Sequence, residues 1–355
     1  MDSRAKYLCD LLIAPTRWQL IEFGLTVKLF DHLQAPVAVK ALSATLNMDE
    51  QRLTMVLNAL VSMGILQKQQ DVYRLPTFYQ AYLVSTDRQY LGKTLLHLAK
   101  TKAIDSQRLQ YLLASSGKGA PQLTQMKNMR ESEFWLRALD SLSDFHRSVR
   151  NPTIMPYLRA LPVLESAAGM SDDTTESDEH KIEMLDLGAG ACDLAAELVA
   201  AFPSLSVTLF DLPPCSQAQA HQRETYPAAL QARIHLQAGD MNDAVWPALH
   251  YDLIFASMSL YFASDLPQLL QRLHQAMKPD SVLVSFHEGL TGEGTQPEAH
   301  VVGRLGLELQ NGAMSFAKGE IEAALAAAGF EQVTVEEIDY PFGPMQWICA
   351  KKPRA

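Results

Sequence analysis

The sequence predicts an α/β fold, a doubly wound mostly parallel sheet, set behind a smaller all-helical amino-terminal domain that ends in a β-wing. Three observations predict it. Within Lys181–Asp211 an apolar run of strand length, Ile182–Leu187, breaks at Gly188-Ala189-Gly190. A helical pattern over Asp193–Ala201 follows, then a second strand, Val207–Phe210, that ends in Asp211. Strand, glycine turn, helix, strand and acid make half of a doubly wound sheet. The alternation then continues to the carboxyl terminus. By contrast, the first hundred residues carry helical periodicity and one short hairpin pattern.

Taken in order, residues 15–35 read as one amphipathic helix, with Pro15 in its first turn and Leu20, Phe23 and Val27 on its apolar face. Val39–Leu46 follows. Asn47 or Asp49 then caps a helix in which Leu53, Val56, Leu57, Leu60 and Met63 recur at helical spacing, and Gly64 ends it. Ile65-Leu66 and Val72–Leu75 flank a polar turn as hairpin arms. Three helices and a wing make a winged helix. Helices are expected at Tyr90–Ala99, Ser106–Leu113, Glu131–Val149 and Thr153–Leu164, interrupted at Ser115–Pro121 and at Asn151-Pro152. The acidic, aperiodic stretch Ala167–His180 reads as a loop. Further strands are expected at Ile234–Gln237, Tyr251–Ser257, Ser281–Phe286, Gln332–Ile338 and Gln346–Lys351. Helices are expected at Leu266–Met277 and Glu320–Ala328.

Composition excludes several classes of function. Hydrophobic residues make up 48% and charged residues 20% of 355 residues, enough for two domains and a sizeable core. A formal net charge of −10 opposes nucleic-acid binding, and the basic content of the candidate groove helix is one residue, Arg52. No apolar run approaches the ~20 residues of a membrane span. Cys9, Cys192, Cys215 and Cys349 form no CxxC pair or disulfide framework, so a reduced, cytoplasmic setting is expected, with Cys192 a small buried filler. No His/Asp/Glu cluster has metal-ligand spacing, so no metal is expected.

The glycine turn selects the ligand class. A dinucleotide fingerprint needs a third glycine three residues after Gly190, where Asp193 stands and would repel a pyrophosphate. Asp186-Leu187-Gly188-Ala189-Gly190 instead resembles motif I of class I S-adenosylmethionine (SAM) methyltransferases. The stretch ALSATLNMDEQRLTMVLNALVSMGILQKQQDVYRLP resembles the amino-terminal dimerisation domain of O-methyltransferases typified by plant caffeate and bacterial polyketide enzymes. The likeness extends over both halves of the chain.

That resemblance implies a Rossmann-like, seven-stranded methyltransferase domain with one antiparallel strand, a winged-helix dimerisation domain over residues 1–104, and a helical connector over 105–165 leading to the catalytic domain at 181–355. It implies a homodimer that converts SAM to S-adenosylhomocysteine while methylating a small aromatic or heteroaromatic hydroxyl, of which a bipyrrole is one compatible case. Asp186, Gly188 and Gly190 are the expected cradle for the methionine part of SAM. Asp211 and Leu212 are expected at the ribose, Asp240 and Met241 at the adenine, and Ser257 at the end of the motif IV strand. Trp246 covers the adenine or simply packs. The acceptor is expected against His97, Phe145, Met155 and Tyr261, with Phe134, Trp135 and Tyr157 as further candidates; any of these aromatic and Met residues serves equally well as helix packing.

The base is where the chain departs from the pattern. In plant-type relatives a histidine follows the fourth strand, and here Tyr261 occupies that place. Of two supporting glutamates, one position falls at His287-Glu288 and the other near Ser315, which is no carboxylate. His287 is therefore the expected base, oriented by Glu288, provided that the strand ends before them, because adjacent strand residues face opposite ways. His97 and His146 are further histidines of the helical region. The missing triad leaves open a family fold with other chemistry (hydroxylation, decarboxylation or a pericyclic step). The wing leaves open a ligand-responsive regulator.

Overall fold

A computed structural model describes residues 3–102, 104–113, 131–168 and 181–354. The stretches 115–121 and 169–180 lie outside the described residues. The chain divides into two compact units, residues 1–97 and 98–355.

In the first unit the opening helix runs from Ser3 to Thr26 and holds Pro15 in its interior. The expectation that Pro15 starts it is corrected: good helix formers precede the proline, so the helix nucleates upstream. Lys28 turns left-handed (φ 54°) and leads into a short 3-10 turn at Leu29–His32. Strand β1 (Val37–Ala38) precedes the helix Val39–Leu46, which ends at left-handed Asn47. Asp49 caps the next helix, Glu50–Ser62, by accepting the Arg52 N–H at 2.8 Å. Strands β2 (Gln67–Gln69) and β3 (Val72–Arg74) then form a hairpin, and β1 adds to β3. The first arm is the polar Gln67–Gln69 rather than Ile65-Leu66, because left-handed Gln70 tightens the turn and Leu66 is buried in the core instead. Leu29, Phe30, Leu33, Leu57 and Leu60 fill that core.

In the second unit the helix Ser132–Phe145 passes through a π-helical turn, His146–Arg150, into the helix Asn151–Arg159. The expected break at Asn151-Pro152 does not occur. Proline lacks an N–H and clashes with an ordinary helical turn; the wider π turn, closed by Asn151 N–H to His146 carbonyl, absorbs it.

The large sheet is built from β4 (Ile182–Leu187), β5 (Leu205–Asp211), β6 (Ile234–Ala238), β7 (Tyr251–Ser257), β8 (Met277–Leu290), the two-residue β9 (Phe316–Ala317), β10 (Glu331–Ile338) and β11 (Met345–Lys351). Its order is β10-β11-β8-β7-β4-β5-β6, with β9 beside the end of β8. Strands β4 to β8 pair in parallel, and β11 pairs antiparallel with both its neighbours. Both faces are covered by helices, so the central strands β4 and β7 are mostly apolar and buried. The chain leaves β4 for β5 and β6, then crosses back to β7, which makes the carboxyl end of β4 the switch point where such sheets bind ligands. No helix among the described residues is long and apolar enough to cross a membrane.

Candidate functional site

The turn after β4 is left-handed at Gly188 (φ 70°) and Gly190 (φ 64°). A β-carbon on Gly188 would stand 2.6 Å from Ser259 Cβ, and one on Gly190 2.6 Å from Leu142 Cδ2. Asp211, at the end of β5, ties this turn down: Oδ2 accepts the Gly190 N–H and Oδ1 the Leu212 N–H, both at 2.8 Å. Gln219 donates to the Gly190 carbonyl at 2.7 Å. Asp193, which excludes a pyrophosphate, has a positive task here. Its Oδ2 accepts from Ser143 Oγ at 2.6 Å and Gln222 Nε2 at 3.0 Å, fastening the helix Ser132–Phe145 to the turn. Cys192 is fully buried and its thiol is pushed up to about 12 by that burial, so it is a filler and not a nucleophile.

Around this turn several buried polar atoms have no protein partner: Asp186 Oδ2, His146 Nδ1, Arg150 Nη2, Ser257 Oγ and Ser259 Oγ. Native interiors leave few such atoms unless a ligand or water serves them. Burial raises the Asp186 carboxyl to about 7, against the opposing pull of Arg150 and with a further push from Asp211. Burial, then the Arg150 charge, holds His146 neutral. An acid and a guanidinium, both desolvated and acting on one another's charge, complement a zwitterionic amino acid. The sequence reading included Asp186 but missed Arg150. Its signal was a cation at helical spacing after Asp144 and Arg147, in a stretch otherwise read as packing.

Asp240 lies in the turn after β6, where its Oδ1 accepts from Asn242 N and Nδ2 at 3.0 and 2.8 Å. Met241 is buried, with its Cε 3.8 Å from the position of a Gly188 β-carbon. Ser257 ends β7 as expected. Trp246 is buried edge-on against Phe210 at 5.2 Å, beneath the Arg272 guanidinium.

The expected base is corrected. Strand β8 does not end before His287 but runs to Leu290, so His287 and Glu288 stay in extended register against Gln346 and Met345. His287 Nε2 accepts two backbone N–H groups, from Ser259 at 2.9 Å and Leu260 at 3.0 Å, so its proton sits on Nδ1, 2.8 Å from Ser285 Oγ. The imidazole is fully buried, and burial followed by the Arg304 charge lowers its pKa to about 3. It has no lone pair to offer an acceptor. Glu288 does not orient it; that carboxylate pairs with Arg304.

Tyr261, in a 3-10 turn at Leu260–Phe262 just after β7, stacks edge-on with His287 at 5.9 Å and near Phe316 at 6.4 Å. The Arg304 guanidinium lies 4.7 Å from its ring centre. The position near Ser315 is not without a carboxylate after all, because Glu308 reaches back from the preceding helix to accept Ser315 Oγ at 2.7 Å and Met314 N–H at 3.2 Å. Neither Arg304 nor Glu308 was foreseen, although Arg304 is the lone cation of the stretch Ala299–Leu309.

Two further acceptor candidates of the second unit, Phe145 and Met155, pack in its main core, where Tyr340 and Phe342 enclose Phe145 at 6.1 and 5.7 Å. His97 belongs to the first unit and is half-buried there. Among the described residues no group of three or more His, Cys, Asp or Glu is placed to hold a metal ion.

Residues 172–331 match the family model of the O-methyltransferase domain. The chain is 25% identical over 339 residues to the S-adenosyl-L-methionine-dependent methyl transferase PigF of a Serratia strain, covering 93% of this chain and 90% of that one. It is 26% identical to acetylserotonin O-methyltransferase of Rattus norvegicus, over 94% of this chain and 74% of the relative. The fold superposes on the pyocyanin biosynthetic protein PhzM with a TM-score of 0.74 at 18% identity, covering 98% of this chain and 99% of that one. Over residues 172–331 the chain is similar to the O-methyltransferase domain, and over most of its length to S-adenosyl-L-methionine-dependent methyltransferases.

Proposed function

We propose that the chain methylates a hydroxyl of a small aromatic or heteroaromatic acceptor in secondary metabolism, and that it does so as a homodimer. The observation that carries this reading is the glycine turn ringed by unpartnered Asp186, Arg150 and His146 atoms, next to an aromatic edge formed by Tyr261, Phe262 and Phe316. When bound, SAM supplies an electrophilic methyl group on a sulfonium. The chain's residues hold it and the acceptor. Asp186 and Arg150 would pair with the ammonium and carboxylate of the methionine part. Asp211 would receive the ribose hydroxyls on its remaining lone pairs beside Leu212, and Asp240 and Met241 would meet the adenine. Alignment of the two reactants then supplies most of the rate.

The relatives' names support the acceptor class, since acetylserotonin carries an aromatic hydroxyl. The dimer is supported by the opening helix, which leaves Tyr7, Leu8, Leu11, Leu12 and Ile13 exposed. A run of large apolar side chains of this kind marks an association surface.

The test is incubation of purified protein with methyl-labelled SAM and a panel of phenols and hydroxylated heteroaromatics, read by mass spectrometry. Label in an ether product supports the reading. An acceptor altered without taking up label overturns it in favour of other chemistry on this fold. Light scattering at micromolar concentration decides the dimer.

A further inference from the structure

We propose that Arg304 and Tyr261 form a seat for the acceptor's oxyanion, so that this chain binds the acceptor already ionised and dispenses with a proton-removing base. The inference rests on the reading of the chain as a hydroxyl methyltransferase.

The groups around Tyr261 argue for it one by one. From β8, His287 is neutral and its Nε2 is committed to two backbone N–H groups. Glu288, also from β8 and 1% exposed, is committed to Arg304. From the helix Glu298–Asn311, Glu308 is committed to Ser315 and Met314. Phe316 and Phe262 contribute only rings. No carboxylate or imidazole in this set is free to take a proton. What the edge does present is a cation. Arg304 has 14% of its side chain exposed, and its Nε is buried without a partner. Burying a guanidinium is unfavourable unless it is paired, and Glu288 supplies that pairing from below.

Tyr261 completes the seat. Its phenol is hydrogen-bonded to Arg304, yet burial keeps its pKa above the ordinary value, so it remains a neutral O–H at neutral pH. An oxygen that accepts from a guanidinium has its own proton left to donate. The seat is next to the cofactor turn through a short chain of contacts: a Gly188 β-carbon would meet Ser259, the Ser259 N–H bonds His287, and the His287 ring packs on Tyr261.

The energetics favour this device for a phenol. With a pKa of ~10, only about one molecule in a thousand is ionised at pH 7, so lowering that pKa by roughly one to two units raises the reactive fraction about ten- to a hundredfold. Nucleophilicity falls less steeply than basicity, so the net effect is faster transfer. The acceptor's proton goes to solvent on binding. An oxygen lone pair then forms the new C–O bond while the methyl carbon's bond to sulfur breaks, and that electron pair stays on sulfur as a neutral thioether. No proton has to pass to the chain.

The test uses 4-nitrophenol as the probe, because its phenolate absorbs apart from its phenol, with the protein saturated by S-adenosylhomocysteine. The bound probe should titrate about one unit or more below its value in buffer. Arg304→Lys should keep part of that shift. The double variant Arg304→Gln/Glu288→Gln, which leaves no orphaned buried carboxylate, should abolish it while S-adenosylhomocysteine affinity by calorimetry is retained. An equal bound pKa in wild type and double variant overturns the seat, as does failure to bind the probe at millimolar concentration. Methyl transfer to the acceptor panel is scored separately. A shifted probe with no oxygen methylated would strike the proposed function alone, whereas methylation unaffected by the double variant would strike the seat alone.

Discussion

His287 Nε2 accepts the backbone N–H of Ser259 at 2.9 Å, and this bond makes the histidine a structural brace for the turn after β7. The unfolded chain protonates this side chain near pH 6.5, while the folded chain resists protonation down to about 3. Below 6.5 the unfolded state therefore binds the extra proton, so the stability contributed by a neutral His287 is complete above 6.5 and is lost as pH falls toward 3. His146, also held neutral by burial, acts in the same direction. The unfolding free energy from urea titration should fall on acidification through this window, by up to roughly 1.4 kcal/mol per pH unit for each proton. His287→Gln keeps an acceptor and should flatten that limb. His287→Leu should cost about 1–3 kcal/mol for each N–H left bare. The pH–rate profile of wild type should carry no inflection that His287→Gln removes.

Gly190 combines a left-handed backbone with a neighbour, Leu142 Cδ2, only 2.6 Å from where a β-carbon would stand. Gly190→Ala should therefore lose stability by about 1–3 kcal/mol or more, from conformation and overlap together. Adding Leu142→Ala relieves the overlap alone. Calorimetric melting of the single and double variants separates the two contributions: a double variant no more stable than Gly190→Ala would show that the backbone conformation dominates.

The parts of the fold that depend on local pattern were legible in the sequence. Apolar runs bounded by glycine and proline gave β4, β7 and the helix Asp193–Ala201 to the residue. What was not legible depends on partners distant in sequence. The end of β8 was placed at Phe286, because His287 and Glu288 look like a polar strand exit; the structure keeps them in the strand because Ser259, Leu260 and Arg304 satisfy them. The Asn151-Pro152 dipeptide reads as a break, and only the π turn explains why it is none. The positions of Asp211 and Asp240 at strand ends were legible, because they follow from strand length. The cations Arg150 and Arg304 were not, since an arginine at helical spacing looks the same in sequence whether it is buried or solvated.

Asp211 accepts one backbone N–H on each oxygen and is hydrogen-bonded to Cys215 as well; in the proposed function its remaining acceptor capacity meets a ribose hydroxyl. Asp211→Asn should weaken S-adenosylhomocysteine binding by roughly 1.5–3 kcal/mol for each charge-assisted bond lost, about ten- to a hundredfold in affinity. Burial raises this carboxyl above its ordinary value, against the backbone N–H bonds that lower it. Wild-type affinity should accordingly fall as acid protonates it, and the Asn variant should show a weaker dependence. Calorimetric titration across pH provides the check, and unchanged affinity in the variant would remove Asp211 from the ribose site.

Arg150 offers the sharpest test of how the methionine part is held. It is buried on the π turn, its Nε donates to Asn151 Oδ1 at 3.2 Å, and its Nη2 has no partner. Its charge is also what opposes the upward pull of burial on Asp186. If it pairs with the ligand's carboxylate, Arg150→Met should lower S-adenosylhomocysteine affinity by about tenfold or more, while binding of adenosine, which lacks the amino-acid part, stays the same. The variant should also leave Asp186 neutral to a higher pH, so that the remaining affinity climbs with pH over a range displaced upward from wild type. A merely structural Arg150 predicts a different pattern. Loss of the π turn would disturb Leu142 and His146 against Gly190, and both ligands would weaken together. Parallel titrations with S-adenosylhomocysteine and adenosine distinguish the two, and an equal loss for both would rule out the carboxylate pairing.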